Sequence, residues 1–323
     1  MSLPEAVPAR NYRGDLLEPL ALLARALREK GETVPPQWVE DAADGLRAGR
    51  LQGLISPATG EVGGVLLTAF QGERGFSHLY LTEKGRPGHE GLSLIRALLA
   101  NPPKGVRRID FTISAATAEI ERELGRGLSS KDLPFTTLER VRMFRSLDVA
   151  DPPAMCPLPA GYIMCLAQDF PVETLARLDF DSFEVSPDKG LVVENLADDV
   201  RVLGKIIDGE LGPSLKEASP AIVHTLEGNT EELVGFLLSI QQGIRTALIA
   251  DVAVSPRARR LGLGRALLSR ALRGLVARGF SEVGLWVTKN NVAACDLYKS
   301  AGFRVTHSEP IFIWNIVSSS RRA

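Results

Sequence analysis

Four arginines and two glycines crowd one short stretch of this sequence: Asp251-Val-Ala-Val-Ser-Pro-Arg257-Ala-Arg259-Arg260-Leu261-Gly262-Leu263-Gly264-Arg265. Glycine lets a backbone turn sharply and lets a ligand approach the amides. A helix follows, and its first turn offers unpaired N–H groups at the positive end of a dipole. Arginines gathered there are electrostatically unfavourable, and a bound anion removes the conflict. The pattern supports phosphate binding; the plainer reading is a solvated basic loop with glycines as turn residues. Other phosphate loops do not fit. Position 267 is Leu where a dinucleotide fingerprint needs glycine, and no G-x-x-x-x-G-K-[ST] occurs.

A second segment lies one strand later: Asn291-Val-Ala-Ala294-Cys295-Asp-Leu-Tyr298-Lys-Ser-Ala-Gly302-Phe303. A phenol such as Tyr298 has a pKa near ~10 and can act as a proton donor; it can equally be a helix aromatic filling core. Cys295 shares its face and reads as a small buried thiol. Among carboxylates, Asp251 sits on the strand before the basic loop. It can bind or deprotonate an ammonium group, or it can be an edge carboxylate paired with an arginine. His224, Glu227 and Glu232 are weaker candidates. Asp179, Asp181, Glu184 and Asp188 form an acidic run that reads as a solvated loop, with part of a binding site as the other reading.

The elements that must position these groups follow from periodicity. Strands are expected at 162–167, 221–226, 233–240, 246–254 and 282–287, with closing strands at 303–307 and 311–316. Gln242-Gly243 marks a hairpin. Helices are expected at 172–178, 196–207, 264–278 and 291–300, the last stopped by Gly302. The first half repeats this order less clearly. Helices fall at 16–28, 37–48, 92–100 and 118–124, and strands at 61–70, 76–81, 106–113 and 137–145. Such self-similarity points to an internal duplication.

The whole chain sets the limits. It has 323 residues, 38 Lys+Arg, 39 Asp+Glu and a formal net charge of −1. That length suits two domains, and the balanced charge argues against a general nucleic-acid or acidic-membrane binder. The division expected is a first domain at 1–150, a proline-rich linker at 151–160 and a second domain at 161–323. Four prolines in Asp151–Pro159 suit an extended connector. Cys156, Cys165 and Cys295 show no C-x-x-C spacing, so no metal site or disulfide framework is expected. Residues Met1–Arg10 contain no apolar core of a secretory signal, and no apolar run approaches ~18 residues. A cytoplasmic protein is expected, without membrane or nucleic-acid partners, as a monomer or homodimer.

Arg259-x-x-Gly262-x-Gly264 after a V-x-P strand end, followed by N-x-x-A-x-x-L-Y-x-x-x-G-F, resembles the GCN5-related N-acetyltransferase (GNAT) superfamily. The likeness covers about Tyr162 to Val317 in element order and is strongest from Asp251 to Phe303. With its worn first copy, the chain resembles the tandem type represented by mycothiol synthase. The resemblance implies an α/β (α+β) fold of two tandem GNAT-like domains. Each would be a mixed, mostly antiparallel sheet flanked by helices, with a splayed parallel strand pair holding CoA.

The same resemblance implies roles. Backbone groups at Val252, Ala253 and Val254 would pair with the pantetheine arm of acetyl-CoA, and an amide near Val252 would hold the oxyanion. Arg259, Arg260, Leu261, Gly262, Leu263, Gly264 and Arg265 would hold the pyrophosphate. Asn291 and Ala294 would meet the pantetheine, and Tyr298 would protonate the departing thiolate. Many relatives carry Glu six residues before the strand-end valine, but this sequence has Leu248 there. Asp251 is then the nearest strand carboxylate for a base. In the first half, Arg86-Pro-Gly-His89-Glu90-Gly91 falls at the loop position, with His89 replacing a glycine, which implies weak or lost CoA binding. The expected activity is acetyl transfer from acetyl-CoA to an amine, without a metal. A non-catalytic acyl-CoA-binding or regulatory protein and a mycothiol-synthase-like acetyltransferase are the alternatives.

Overall fold

The computed structural model describes residues 6–9, 15–29, 34, 37–48, 51–58, 61–83, 87–129, 133–148, 150, 153–189, 191, 195–226, 228 and 230–316. Arg86, Asp151, Pro152, Glu227, Asn229, Val317 and most of Met1–Arg10 lie outside them. The chain divides into two compact units, Met1–Glu139 with Glu309–Ala323, and Arg140–Ser308. The changeover at 139/140 precedes the proline-rich segment, and the residues from Glu309 return to the first unit.

The first unit runs β1 (Val7–Pro8), α1 (Leu17–Glu29), α2 (Trp38–Arg47), β2 (Gln52–Ala58), β3 (Glu61–Gln71), β4 (Arg74–Leu81), α3 (Pro87–Ala100), β5 (Arg108–Ala115), α4 (Ala118–Leu128) and the start of β6 (Phe135–Ser146). Alternation along the strands sorts side chains to two faces. Val65, Leu67 and Tyr80 face Leu20, Leu23 and Leu46 of α1 and α2. Leu66, Leu79 and Leu81 face Leu94, Ile95 and Leu124 of α3 and α4. Strands β4 and β5 are parallel and stay paired from Arg74↔Arg108 to Leu81↔Ala115. A buried ion pair between Arg74 of β4 and Asp110 of β5 ties them together, and Arg108 Nε adds a 2.7 Å contact to Asp110. His89, Glu90 and Gly91 lie inside α3 rather than in a glycine loop.

The second unit contains β7 (Tyr162–Leu166), α5 (Val172–Phe183), α6 (Leu196–Ile207), β8 (Pro220–Thr225), β9 (Glu231–Gln241), β10 (Thr246–Val254), α7 (Leu263–Ala277), β11 (Glu282–Thr288), α8 (Val292–Ser300) and most of β12 (Arg304–Asn315). Phe236, Leu238 and Ile240 of β9 face α5 and α6, whereas Leu237 joins the core under α7 and α8. The proline-rich segment packs on α7: Cys156 N donates to Ser269 Oγ, and Arg273 Nη1 donates to Pro153 O, both at 3.2 Å. The two closing strands expected at 303–307 and 311–316 form one strand, β12. Its residues from Glu309 belong to the first unit, where Phe312↔Phe111 and Trp314↔Ile109 pair it with β5. In turn, Val141 to Ser146 of β6 pair with β11 in the second unit. Among the described residues no helix is long and apolar enough to cross a membrane.

Candidate active site

The site begins where two parallel strands part. Strands β10 and β11 pair only at Thr246↔Glu282, Ala247↔Val283 and Leu248↔Gly284. On its other edge, β10 carries a bulge between Ile249 and Asp251 against β9. A bulge bends its strand and leaves one residue unpaired. Beyond Leu248 the edge of β10 facing β11 is therefore open. Leu248, where the resemblance expects a glutamate, is the last paired residue and packs toward α5 and α6.

A groove of about 1030 Å³ follows from this gap, lined by Val252–Val254, the basic loop and the start of α8. The chain makes one 3₁₀ turn at Pro256–Ala258 and then enters the left-handed region twice, at Arg260 (φ 68°) and Gly262 (φ 81°). Successive N–H groups in such turns form anion-binding concavities. Gly262 is the residue before α7, and an added Cβ there meets nothing within 4 Å, so glycine serves the backbone angle rather than the space. Gly264 differs, since a Cβ would come within 3.2 Å of Leu297 Cδ2 of α8, which would have to shift slightly. Arg260, Leu261 and Arg265 are exposed along this rim, and Leu263 is buried beneath it. Arg259 braces the loop: its Nη2 donates to Ser182 O at 2.7 Å and its Nε to Val254 O at 3.3 Å.

Asn291 caps α8, its Oδ1 accepting from Ala294 N at 3.2 Å and its Nδ2 donating to Asp188 Oδ2 at 2.6 Å. At the other end, Gly302 (φ 83°) reverses the backbone. Gly302 N donates to Lys299 O at 2.9 Å and Phe303 N to Tyr298 O at 3.0 Å, a Schellman closure. That closure places the Phe303 ring 6.0 Å from the Tyr298 ring. The Gly-Phe pair thus fixes Tyr298 in the last turn of α8. Cys295 is buried on the same helix, and its thiol points at Thr288 O.

A second cavity, of about 210 Å³, adjoins the groove. Phe183, Val252, Asn291, Ala294 and Tyr298 line both. Asp251, on β10, lines the smaller one, together with Asp179 of α5, Asp188 and Asp199 of α6. The solvated-loop reading of the acidic run fails for two of its members: Asp179 is 3% exposed and Asp188 8%. Asp179 is on the buried face of α5, and Asp188, in the turn after α5, accepts from Asn291. Asp181 and Glu184 are exposed. Asp199 was missed altogether, although its position carried a signal. It shares the buried stripe Asp199, Leu203, Ile206, as Asp179 shares Leu175, Ala176, Ser182. A carboxylate at a spacing that periodicity reserves for core is a marker of function. His224 stacks on Tyr162, 4.5 Å between ring centres, and Glu232 is exposed opposite it; neither lines the cavity.

Electrostatics follow from burial. Desolvation, and then the charge of Asp199, push the Asp251 carboxyl up to about 7, against a 2.7 Å hydrogen bond from its neighbour's amide, Val252 N. Burial lifts Asp199 to about 6, offset by its hydrogen bond with Asp179. Asp179 is held well above the carboxylate range by burial and by Asp251 and Asp199. Burial, then Asp251, Asp188 and Cys295, raise Tyr298, so its phenol stays protonated at neutral pH. The result is a carboxylate able to exchange a proton near pH 7 and a phenol that holds its proton at rest.

This architecture belongs to a known class. Residues 205–303 match the model of the acetyltransferase (GNAT) family. A mycothiol acetyltransferase of Clavibacter michiganensis is 30% identical over 149 residues, 46% of this chain and 44% of that protein. The chain spans between about a quarter and about half the length of the first such relatives. The crystal structure of a GCN5-related N-acetyltransferase from Sphaerobacter thermophilus superposes with a TM-score of 0.60 at 17% identity, covering 97% of this chain and 96% of the other. A tandem GNAT protein from the clavulanic acid biosynthesis pathway superposes with a TM-score of 0.55 at 17% identity, over 98% and 99% of the two chains. These likenesses establish the tandem GNAT fold.

Proposed function

We propose that the second unit is an acyl-CoA-dependent N-acyltransferase that moves an acetyl group directly to an amine. One observation carries this reading: the groove and the acidic cavity meet at Val252 and Tyr298. The groove suits acetyl-CoA. Its loop supplies amides and arginines at the pyrophosphate end, around Arg259–Arg265, and its open strand edge at Val252–Val254 suits the pantetheine amides. Asn291 and Ala294 line the path between.

Asp251 takes the proton from the acceptor ammonium. The freed nitrogen attacks the thioester carbonyl, and a tetrahedral oxyanion forms beside β10. Val252 N–H is the donor for it in this reading, and in the resting protein that amide is held by Asp251. Tyr298 donates its proton to sulfur as the carbon–sulfur bond breaks, and the extra proton on the newly acylated nitrogen passes to the tyrosinate, which leaves a neutral amide and a phenol again. Kinship with proteins named mycothiol acetyltransferase supports acyl transfer of this kind.

The test is thiol release from acetyl-CoA in the presence of a panel of amines, with Tyr298→Phe as control. Acyl transfer with kcat reduced about 100-fold or more in the variant, a typical loss for a positioned acid, and CoA affinity retained, is expected. Tight CoA binding without transfer to any amine favours the non-catalytic reading. Unchanged turnover in the variant rejects the acid role.

A further inference from the structure

The reading of Asp251 and Tyr298 as the reacting pair leaves three buried polar groups of the same cavity unused. Asp179 and Asp199 are 3% and 1% exposed, and each keeps one carboxylate oxygen without a hydrogen-bond partner. Thr288 of β11, 1% exposed, has a hydroxyl with no partner at all. All three line the cavity. Buried oxygens left unsatisfied are costly, and buried carboxylates more so. None of Asp179, Asp199 and Asp251 takes part in an ion pair among the described residues.

The remaining charges do not compensate. Lys189 lines the cavity but pairs with Glu184 at 2.8 Å. Arg140 is the other cation of the lining, with its guanidinium 5.9 Å from the Trp286 ring centre. The lining therefore holds, besides the Lys189–Glu184 pair, one guanidinium and the aspartates 179, 188, 199 and 251. Phe180, Val202 and Leu285 give the same cavity apolar wall.

We infer that the acceptor is a compact diamine, which presents one nitrogen to Asp251 and a second cationic group to Asp179, Asp199 and the Thr288 hydroxyl. This deepens the proposal above and rests on its assignment of the reacting end. A short methylene chain suits the apolar walls. A carboxylate on the acceptor would face like charge in a low-dielectric site and be rejected.

The experiment is calorimetry on the full chain saturated with CoA, using three ligands of matched length: 1,4-diaminobutane, butylamine and 4-aminobutyrate. The diamine is expected to bind at least ten-fold tighter than butylamine, with 4-aminobutyrate weakest. In Asp199→Asn the diamine advantage should fall to about two-fold or less. Asp179→Asn serves the same purpose if that variant does not fold, and the comparison within the wild type needs no variant. Equal binding of butylamine and diamine, no binding of any of the three, or a full diamine preference surviving in the folded variant overturns the inference. Binding does not require turnover. Diamine preference without acetyl transfer therefore sinks only the enzymatic reading, and transfer to butylamine as fast as to the diamine sinks only this one.

Discussion

At the scale of single residues, Asp251 decides most. Its carboxyl titrates near 7 in the folded chain because burial and Asp199 disfavour the charge. A base must be ionised, so kcat/KM should rise with pH and level off above about 7. Asp251→Asn should lose that rise along with most of the activity. Stability runs the other way. The unfolded carboxyl titrates near ~3.9, so the folded form holds its proton more tightly. That contribution is fully present below pH ~4 and is lost as pH rises through about 7. The asparagine variant should match the wild type near pH 4 and be more stable at pH 8, by roughly 1–3 kcal/mol. Denaturant melts at the two pH values check this; a variant less stable at pH 8 contradicts the burial account.

At the scale of elements, the loop before α7 is the most exacting. Gly262 sits at φ 81° with open space around it. Gly262→Glu adds backbone strain and a negative charge where phosphate is expected. CoA affinity should fall at least 100-fold in a titration while the fold is kept, and retained affinity removes the loop from the binding site. The turn into α7 was readable in advance, because glycine between a strand end and an apolar helical repeat marks a loop. So was α6, whose Leu196–Ile207 bounds agree with its periodicity. Strand β2 was not, since Gly53 and Pro57 within Gln52–Ala58 are poor strand formers, accommodated where Ser56 and Pro57 shift register. Asp179 was misread for a different reason. A charge run looks solvated until the helical face is counted, which sets Asp179 beside Leu175 and Ala176; Asp188 lies beyond α5, and only tertiary packing shows that it is buried. The bulge on β10 has no sequence signature of its own.

For the molecule as a whole, the two units share an order of elements and differ at one decisive place. In the second unit the parallel strands part after three pairs; in the first they remain joined over eight residues and are latched by Arg74 and Asp110. A zipped pair offers no open strand edge to a pantetheine. Calorimetric titration should therefore give one acetyl-CoA per chain, lost entirely in Gly262→Glu. A stoichiometry of two would show that the first unit also binds.

The membership of β12 has a consequence for biosynthesis. Phe312 and Trp314 are part of the first unit's core, yet the ribosome adds them only after the whole second unit has been made. The nascent first unit must wait with the edge of β5 uncovered, and an uncovered strand edge invites pairing with other chains. The first unit is completed only after the second, and its strand edge stays exposed while residues 140–308 are made.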